Sequence, residues 1–291
     1  MVDVGSRVVV RYRLPAGSTP SLTDVIGELL RVGPTLAVRT KRGDVVEIDA
    51  DDVVAIKALA AAPVRTADIR NLEHAAALGW PGAEHEWLDG WLLRFGHGST
   101  RRANSAVPLD VSGIDTAALV ERYSRRGLTP LIAAPDRLFR IPAGVPTDGE
   151  NIVMTGGLGE TSGAATVAAA PDAEWLRHYR RAVPVDVLTA VVDGEVAFGA
   201  LGGAAVGRAA VTAAPDGTHW VGLSAVHVAE QARRRGLARE LCSTLLAWGG
   251  EHGATRAYVQ VLDGNTAGIR LYESMGFVVH HRSRYVDARS L

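Results

Sequence analysis

The segment of residues 223–252 constrains the fold more than any other part of the sequence. It starts with residues 223–228, Leu-Ser-Ala-Val-His-Val, which are interpreted as a strand. From Leu237 onward, leucines and a tryptophan recur at the spacing of one helix face. A short polar loop that ends in Gly236 separates the two patterns. A strand, a tight glycine turn and an amphipathic helix in this order predict a β–loop–α unit.

The mouth of the predicted helix carries a run of positive charge. Arg233, Arg234 and Arg235 come directly before Gly236 and the helix. The first turn of a helix has unpaired N–H groups and a partial positive charge, and glycine lets the backbone approach a bound group closely. These features predict a cradle for a phosphate group. The alternative interpretation is a solvated basic run in front of a helix.

A second motif follows about thirty residues later, Asn265-Thr-Ala-Gly-Ile-Arg-Leu-Tyr272-Glu-Ser-Met-Gly276-Phe277. Together the two motifs resemble the GCN5-related N-acetyltransferase (GNAT) family, which transfers acyl groups from acyl-CoA, usually to amines. The family's Gln/Arg-x-x-Gly-x-Gly/Ala loop is matched at residues 233–238. Its Asn-x-x-Ala-x-x-Leu-Tyr-Glu-x-x-Gly-Phe motif is matched with Gly268 where alanine is usual. The resemblance covers residues 172–291.

The resemblance implies acetyl-CoA as cofactor and a role for each motif residue. Backbone groups at the end of the strand would pair with the pantetheine arm and polarise the thioester carbonyl. Amides of residues 234–239 would hold the pyrophosphate, and Asn265 would bond the pantetheine or brace the site. The cofactor-binding residues expected in this way are Val226, His227, Val228, Arg233, Arg234, Arg235, Gly236, Leu237, Ala238, Arg239 and Asn265.

The resemblance also implies that Tyr272 is the general acid that protonates the departing CoA thiolate. A free phenol has a pKa of about 10 and a free thiol about 8.5, so the tyrosine is protonated at neutral pH and able to donate. The alternative is a tyrosine that only packs in the core. His227 is expected on the opposite face of its strand from Val226 and Val228, because side chains alternate along a strand.

The general base is where the match to the family breaks. Gln260 stands where several relatives carry glutamate, and an amide cannot take up a proton. Other members use residues on the preceding strand, where this chain has Gly222 and Ser224. Either the amine arrives neutral and water removes its proton, or the base comes from another segment. The candidates in the middle of the chain are Glu86, Asp89 and His97.

The length of 291 residues predicts two or three domains. Residues 1–60 contain five short apolar runs separated by turn signals, which predicts a small all-β barrel that resembles SH3-like barrels. A short linker follows at residues 60–63. Residues 171–291 are expected to form the acetyl-CoA-binding GNAT domain.

The middle section, residues 67–170, is expected to be a degenerate GNAT-like half. Its helix ends Tyr123-x-x-x-Gly127, which echoes Tyr272-x-x-x-Gly276. It lacks the phosphate loop, so the hypothesis is that it builds the acceptor side of the site and binds no CoA. The fold class is therefore α+β: a GNAT fold with a mixed central sheet flanked by helices, preceded by this half and the barrel.

Local patterns in the last two sections predict further elements. Residues 87–95 and 128–133 have strand-like composition. Residues 187–192 and 196–200 flank Asp193-Gly194, which predicts a hairpin. The Gly-rich, polar stretch of residues 156–163 lacks the Gly-Lys-Ser/Thr ending of a phosphate loop, and is interpreted as a surface linker.

Composition narrows the partners. The net charge of −1 argues against nucleic-acid binding. Cys242 is the one cysteine, which excludes an intramolecular disulfide. The sequence contains no cluster of metal-ligand residues, so no metal site is predicted. No apolar run reaches the roughly 18–20 residues that span a bilayer, and the first residues lack a signal-peptide pattern, so a cytoplasmic protein without a membrane partner is expected. A homodimer is left open.

The leading interpretation is an N-acetyltransferase that passes an acetyl group from acetyl-CoA to an amine by direct attack in a ternary complex. The acceptor is a small-molecule or peptide amine of unassigned identity: antibiotic amines, polyamines, amino acids and protein N-termini or lysines all fit. Gln260 and the missing base motivate the alternative, a non-catalytic acyl-CoA-binding sensor or adaptor protein.

Overall fold

The computed structural model describes residues 2, 4–59, 63–159 and 163–291, so the predicted linker falls partly outside the described residues. The chain divides into two compact units, Met1–Pro63 and Val64–Leu291. In the described ranges, no helix is both long enough and apolar enough to cross a membrane.

The first unit is an all-antiparallel five-stranded sheet with the order β4-β3-β2-β1-β5. Its strands are β1 (Arg7–Arg13), β2 (Leu22–Arg31), β3 (Thr35–Thr40), β4 (Val45–Asp49) and β5 (Val53–Ala58). Alternate residues point to one side, where Val8, Val10 and Leu29 are fully buried. The five predicted strands are confirmed, and closure into an SH3-like barrel stays a prediction.

The second unit is built on one eleven-stranded mixed sheet with the order β11-β12-β13-β14-β15-β10-β16-β9-β8-β7-β6. Its elements are α1 (Thr66–Leu78), β6 (Glu84–Leu88), β7 (Trp91–Phe95), β8 (Ser105–Pro108), α2 (Thr116–Ser124), β9 (Leu131–Pro135), β10 (Asp148–Gly156), β11 (Thr166–Ala168), α3 (Ala173–Tyr179), α4 (Val185–Thr189), β12 (Glu195–Leu201), β13 (Ala205–Ala213), β14 (His219–Val228), α5 (Leu237–Glu251), β15 (Arg256–Leu262), α6 (Thr266–Ser274) and β16 (Val278–Asp287).

Strand β10 lies in the middle of this sheet, although the sequence analysis assigns no strand there. Val153 of β10 is paired with Gln260 of β15 on one side and with His281 of β16 on the other. Gly156, expected in a surface linker, instead ends this strand, and a Cβ there would lie 2.8 Å from the Phe277 ring. One sheet thus includes strands from both predicted sections of the second unit, and a domain boundary between these sections stays a prediction.

Two local predictions are wrong for identifiable reasons. Residues 87–95 are not one strand, because the backbone turns at Asp89 and Gly90, both at positive φ, and forms the β6–β7 hairpin. Residues 187–192 are not a strand either, since α4 occupies Val185–Thr189 and buries Val187 and Leu188. The hairpin partner of β12 is therefore β13, through a turn at Gly202 and Gly203 rather than at Asp193-Gly194.

Helices cover both faces of the sheet. Leu241 and Leu245 of α5 pack in a core cluster that includes Val259 of β15. Leu72 of α1 packs instead against a cluster that includes Tyr258, the preceding residue of the same strand. Because successive strand residues point to opposite faces, α5 and α1 lie on opposite sides of the sheet. The two faces are called the α5 face and the α1 face below.

Gly249 and Gly250 of α5 offer a matched test of this packing. A Cβ at Gly249 would lie 2.6 Å from Cβ of Val221, whereas one at Gly250 would meet only the end of the Leu158 side chain at 3.2 Å. Alanine favours a helix over glycine by about 1 kcal/mol, so Gly250→Ala should raise the free energy of unfolding by up to that amount. Gly249→Ala should lower it by about 1–3 kcal/mol through overpacking.

Urea unfolding followed by tryptophan fluorescence measures both variants, because all six tryptophans lie in the second unit. Equal stabilisation by the two substitutions would contradict the close contact between α5 and β14.

Candidate active site

Strands β14 and β15 separate at their carboxyl ends. They run parallel and pair from Trp220–Arg256 to Leu223–Val259, and their pairing ends there although both strands continue. β14 stays paired with β13 up to Val228, so the separation lies between β14 and β15. The opening between residues 224–228 and residues 260–262 is called the strand cleft. On the β15 side of β14, it leaves the backbone of residues 224–228 without a paired strand.

A bulge in β14 accompanies this separation. Its pairing with β13 shifts between Val206 and Arg208, and Ala225 has a φ of 53°. A non-glycine residue at positive φ is strained, and a bulge bends and twists its strand. The bulge therefore turns the end of β14 away from the direction that β15 follows.

The three strand residues expected to bind the cofactor line this opening. Val226 and Val228 pack against the core of the α5 face. Burial lowers the pKa of His227, and the positive charges of Arg233 and Arg180 lower it further, so its imidazole is neutral at neutral pH. Arg180 caps the end of α3, which packs on the side opposite to α5, as alternation predicts.

The amino end of α5 follows β14 in the chain and has no side-chain cap. Gly236 is its cap residue at a φ of 83°, and no side chain accepts from the first turn. Among the described residues, none accepts a hydrogen bond from the backbone amides of residues 234–239. The first amide of this region with an acceptor is that of Glu240, which donates to the Gly236 carbonyl. Arg234 also has a positive φ, of 63°. This loop presents consecutive N–H groups and the positive end of a helix dipole.

The side chains of the arginine run have different surroundings. Arg234 and Arg235 are exposed. Arg233 donates through Nε to the Val228 carbonyl at 3.3 Å, and Arg239 donates to the Ser274 carbonyl and hydroxyl at 2.8 and 2.6 Å. Arg239 thus ties the start of α5 to the end of α6. Leu237 and Ala238, also expected at the cofactor, are half-buried in the first turn.

Asn265 is the N-cap of α6. Its Oδ1 accepts from the Gly268 amide at 3.0 Å, which satisfies one of the helix's free N–H groups. A Cβ at Gly268 would lie 2.7 Å from Nδ2 of Asn265. Glycine instead of the family's usual alanine therefore leaves room for this cap.

Tyr272 is buried between α6 and α5, with 7% of its surface exposed. Its hydroxyl lies next to the Cys242 thiol of α5, and burial raises its pKa well above 10. Its ring lies 5.6 Å from that of Phe277. The phenol is therefore protonated throughout the neutral range, and its position is fixed by packing.

On the α1 face, two small neighbouring cavities, each with room for about one water molecule, share Arg102 and Gln260 in their walls. They are together called the paired cavity. The first also contains Ser224 and Gly222 of β14, which places it at the level of the strand cleft. Further polar residues around the two cavities are Glu73, Arg94, Asn151, Arg208, Tyr258, Ser283 and Tyr285.

Among the described residues, Glu73 of α1 is the one carboxylate in the walls of the paired cavity. Its Oε1 lies 2.8 Å from Nε2 of His281, and both side chains are almost fully buried. Nδ1 of His281 lies 2.8 Å from Nδ1 of His280, which is half-buried. Burial and the neighbouring His281 lower the pKa of His280 to about 4, so it is neutral at neutral pH. A hydrogen-bonded chain thus leads from the cavity toward the surface.

The base candidates from the middle section lie elsewhere. Glu86 accepts from Arg122 at 2.7 Å, His97 is paired with Asp186 at 2.7 Å, and Asp89 is at the β6–β7 turn. None of the three candidates lines either cavity.

Sequence reasoning missed the charged residues that do line the paired cavity. Arg94 and Arg208 interrupt apolar strands, and a lone charge in such a strand is a usable signal of a buried functional or structural ion. Glu73 and Arg102 carry no such signal, because a charged residue in a helix or turn is ordinarily solvated.

Comparisons with known proteins show the family to which the chain belongs. The family described as "Probable histone acetyltransferase Rv0428c C-terminal" matches residues 66–286, and "Rv0428c N-terminal Sm-like domain" matches residues 2–57. The probable histone acetyltransferase Rv0428c of Mycobacterium tuberculosis is 52% identical over 99% of this chain and 96% of its own length. The uncharacterized N-acetyltransferase YobR of Bacillus subtilis is 25% identical over 72% of this chain and 94% of its own.

A solved GCN5-related N-acetyltransferase from Kribbella flavida has a TM-score of 0.53 and 16% identity, and the match covers 78% of this chain and 96% of that one. The second unit therefore has the GNAT fold, and the protein is an acyltransferase. The chain belongs to the family of the probable histone acetyltransferase Rv0428c. The α+β fold class and the expected GNAT membership are confirmed, with a small N-terminal β domain described as Sm-like.

The contact between Tyr272 and Cys242 yields a chemical prediction. Burial raises the pKa of the Cys242 thiol to about 12, and only a thiolate is nucleophilic. Iodoacetamide at pH 8 should therefore leave the folded protein unlabelled and modify Cys242 fully once the protein is unfolded in urea. Mass spectrometry of the intact chain measures both states, and rapid labelling of the folded protein would contradict the buried position of this thiol.

Proposed function

We propose that the protein transfers an acetyl group from acetyl-CoA to an amine by direct attack in a ternary complex. One observation carries the proposal: the strand cleft has an uncapped helix terminus beside it and a polar cavity on the α1 face. A donor with an anionic pyrophosphate suits the first feature, and an acceptor amine suits the second. An opening through the sheet brings the two reactants together at one point.

The donor site consists of backbone groups. The free amides of residues 234–239 fit a pyrophosphate, because successive N–H groups at a helix terminus bind anions. The unpaired edge of Val226, His227 and Val228 provides donors and acceptors for an amide-containing arm. When bound, acetyl-CoA supplies a thioester whose carbonyl a backbone N–H of this edge polarises. Asn265 and Arg239 hold α6 in place against α5.

Tyr272 serves as the general acid in this proposal. Its hydroxyl carries a proton at neutral pH and lies at the junction of α5 and α6. It gives its proton to the leaving thiolate, which takes the place of Cys242 beside the Tyr272 hydroxyl. Cys242 has no part in the chemistry, because its own thiol stays protonated.

Glu73 takes the role that Gln260 cannot fill. It is the carboxylate of the paired cavity, and Gln260 is in the same wall. Directly or through a water molecule, Glu73 accepts the proton that the amine loses on attack. Nε2–H of His281 donates to the Glu73 carboxylate and holds it in position, and the proton that Glu73 accepts leaves to a water molecule.

Replacement of Tyr272 tests the acid. Tyr272→Phe should lower kcat by about 10²-fold, since general acid catalysis contributes roughly that much, and leave the Kd of acetyl-CoA within a factor of about two. Thiol release measured with a disulfide reagent gives kcat, and calorimetry gives the Kd. Tyr12→Phe in the first unit is the control and should change neither. Unchanged turnover in Tyr272→Phe would remove its acid role.

Replacement of Glu73 tests the base. Glu73→Gln keeps the shape and should lower kcat by about 10²-fold at pH 7. The deficit should narrow as the pH rises, because a larger fraction of the acceptor amine is then neutral in solution. A purely structural role of Glu73 predicts a deficit that pH does not narrow. Circular dichroism melting checks that the variant is folded, and Glu121→Gln, an exposed residue of α2, is the control.

The alternative is a sensor that binds acyl-CoA without transfer, which the glutamine at position 260 favours. It predicts tight binding of acetyl-CoA and no thiol release with any amine. The Mycobacterium tuberculosis relative is named a probable histone acetyltransferase, so a lysine peptide belongs in the acceptor panel.

A further inference from the structure

The paired cavity has more positive than negative charge in its walls. It contains the guanidinium groups of Arg94, Arg102 and Arg208 and the carboxylate of Glu73, which gives a formal charge of 3 − 1 = +2. Glu73 is already hydrogen-bonded to His281. No salt bridge within the described residues joins any of the three arginines to a carboxylate.

Arg94 is held only by neutral groups. It is 4% exposed, and its Nε and Nη2 donate to the carbonyl and hydroxyl of Ser105 at 3.1 and 2.7 Å. Its Nη1 lies 3.5 Å from the Trp80 carbonyl. These bonds fix its position, and the nearby negative charge that acts on it is that of Glu73, with which it forms no salt bridge.

Arg208 is also held by neutral groups, and it lines the other of the two cavities. It is 1% exposed and donates to the carbonyls of Leu188 and Ala190 at 2.6 and 2.8 Å. Its guanidinium lies 4.6 Å from the centre of the Trp80 ring. Burial lowers its pKa to about 10, so it remains a cation at neutral pH.

Arg102 is shared by both cavities and has unused donor capacity. Its Nη2 donates to the Gln260 carbonyl at 3.4 Å, which is a long bond. Its Nε is buried and has no hydrogen-bond partner. The Arg102 side chain is half-buried, and a guanidinium with a free donor binds a carboxylate in a defined geometry, because the fork of N–H groups matches two oxygens.

We propose that the acceptor is an amine that carries a free carboxylate on the same molecule, as an amino acid does, and that Arg102 binds this carboxylate. Arg94 and Arg208 supply the positive field around it. This inference rests on the proposed function and names its acceptor class. The same field disfavours a lysine side chain in a cationic peptide, because each further cation meets three like charges.

Acceptor pairs that differ only in the carboxylate test the proposal. The full-length protein is assayed for thiol release from acetyl-CoA with amino acids and with the amines left by their decarboxylation, such as phenylalanine and phenethylamine, or leucine and isoamylamine. An amidated peptide with one lysine completes the panel. We expect kcat/KM at least about tenfold higher for the carboxylate-bearing member of the productive pair, since removing one charged contact costs that much.

The outcomes separate the two proposals. Thiol release with decarboxylated amines or the lysine peptide, at rates that equal or exceed those of the amino acids, would overturn the carboxylate-bearing acceptor and leave acetyl transfer intact. Thiol release with no member of the panel, despite binding of acetyl-CoA, would overturn both.

Variants at position 102 locate the carboxylate. Arg102→Gln should raise KM for the amino acid at least about tenfold and leave KM for its decarboxylated partner unchanged, because only the first uses the charge. Arg102→Lys should restore part of the loss. Arg101→Gln, which alters the exposed neighbouring arginine, is the matched control and should behave as the unaltered protein. An equal loss on both members of a pair would assign Arg102 a structural role and contradict the proposal.

Discussion

The parting of β14 and β15 beyond Leu223 and Val259 is the constraint on which the rest of the structure depends. Two paired strands satisfy each other's backbone groups and leave no space between them. Here the ladder ends while β14 continues beside β13, so the sheet remains intact and one edge of backbone is free. The strained φ at Ala225 is the local cost of that arrangement.

The two faces of the sheet present different groups at the opening, because different helices and loops pack on each face. On the α5 face, Gly236 starts a helix without a cap, and Arg239 and Tyr272 hold α6 against it. On the α1 face, the cavity walls are charged and include residues of α1 and of the turn before β8. Residues of the middle section therefore lie beside Gln260, as the hypothesis of an acceptor-side section requires.

The strands and helices around the strand cleft were predictable, because β14, α5, β15 and α6 each carry a clear periodicity and a motif. β10 was not, since its apolar centre has only Ile152, Val153 and Met154, and pairing on both sides makes it a strand. The proposed base illustrates the same limit. From the sequence, Glu73 is predicted to be a solvated helix residue, because nothing local shows its burial. Tertiary packing buries it against His281.

The central claim is that one opening in the sheet joins a CoA site near α5 to an acceptor site on the α1 face. A crystal structure with a bisubstrate compound, in which the CoA sulfur is linked through an acetyl group to the amine of an amino acid, tests it most directly. We predict that the pantetheine arm passes between residues 224–228 and 260–262, and that the carboxylate contacts Arg102. A CoA moiety outside the strand cleft, or an acceptor moiety on the α5 face, would contradict this account.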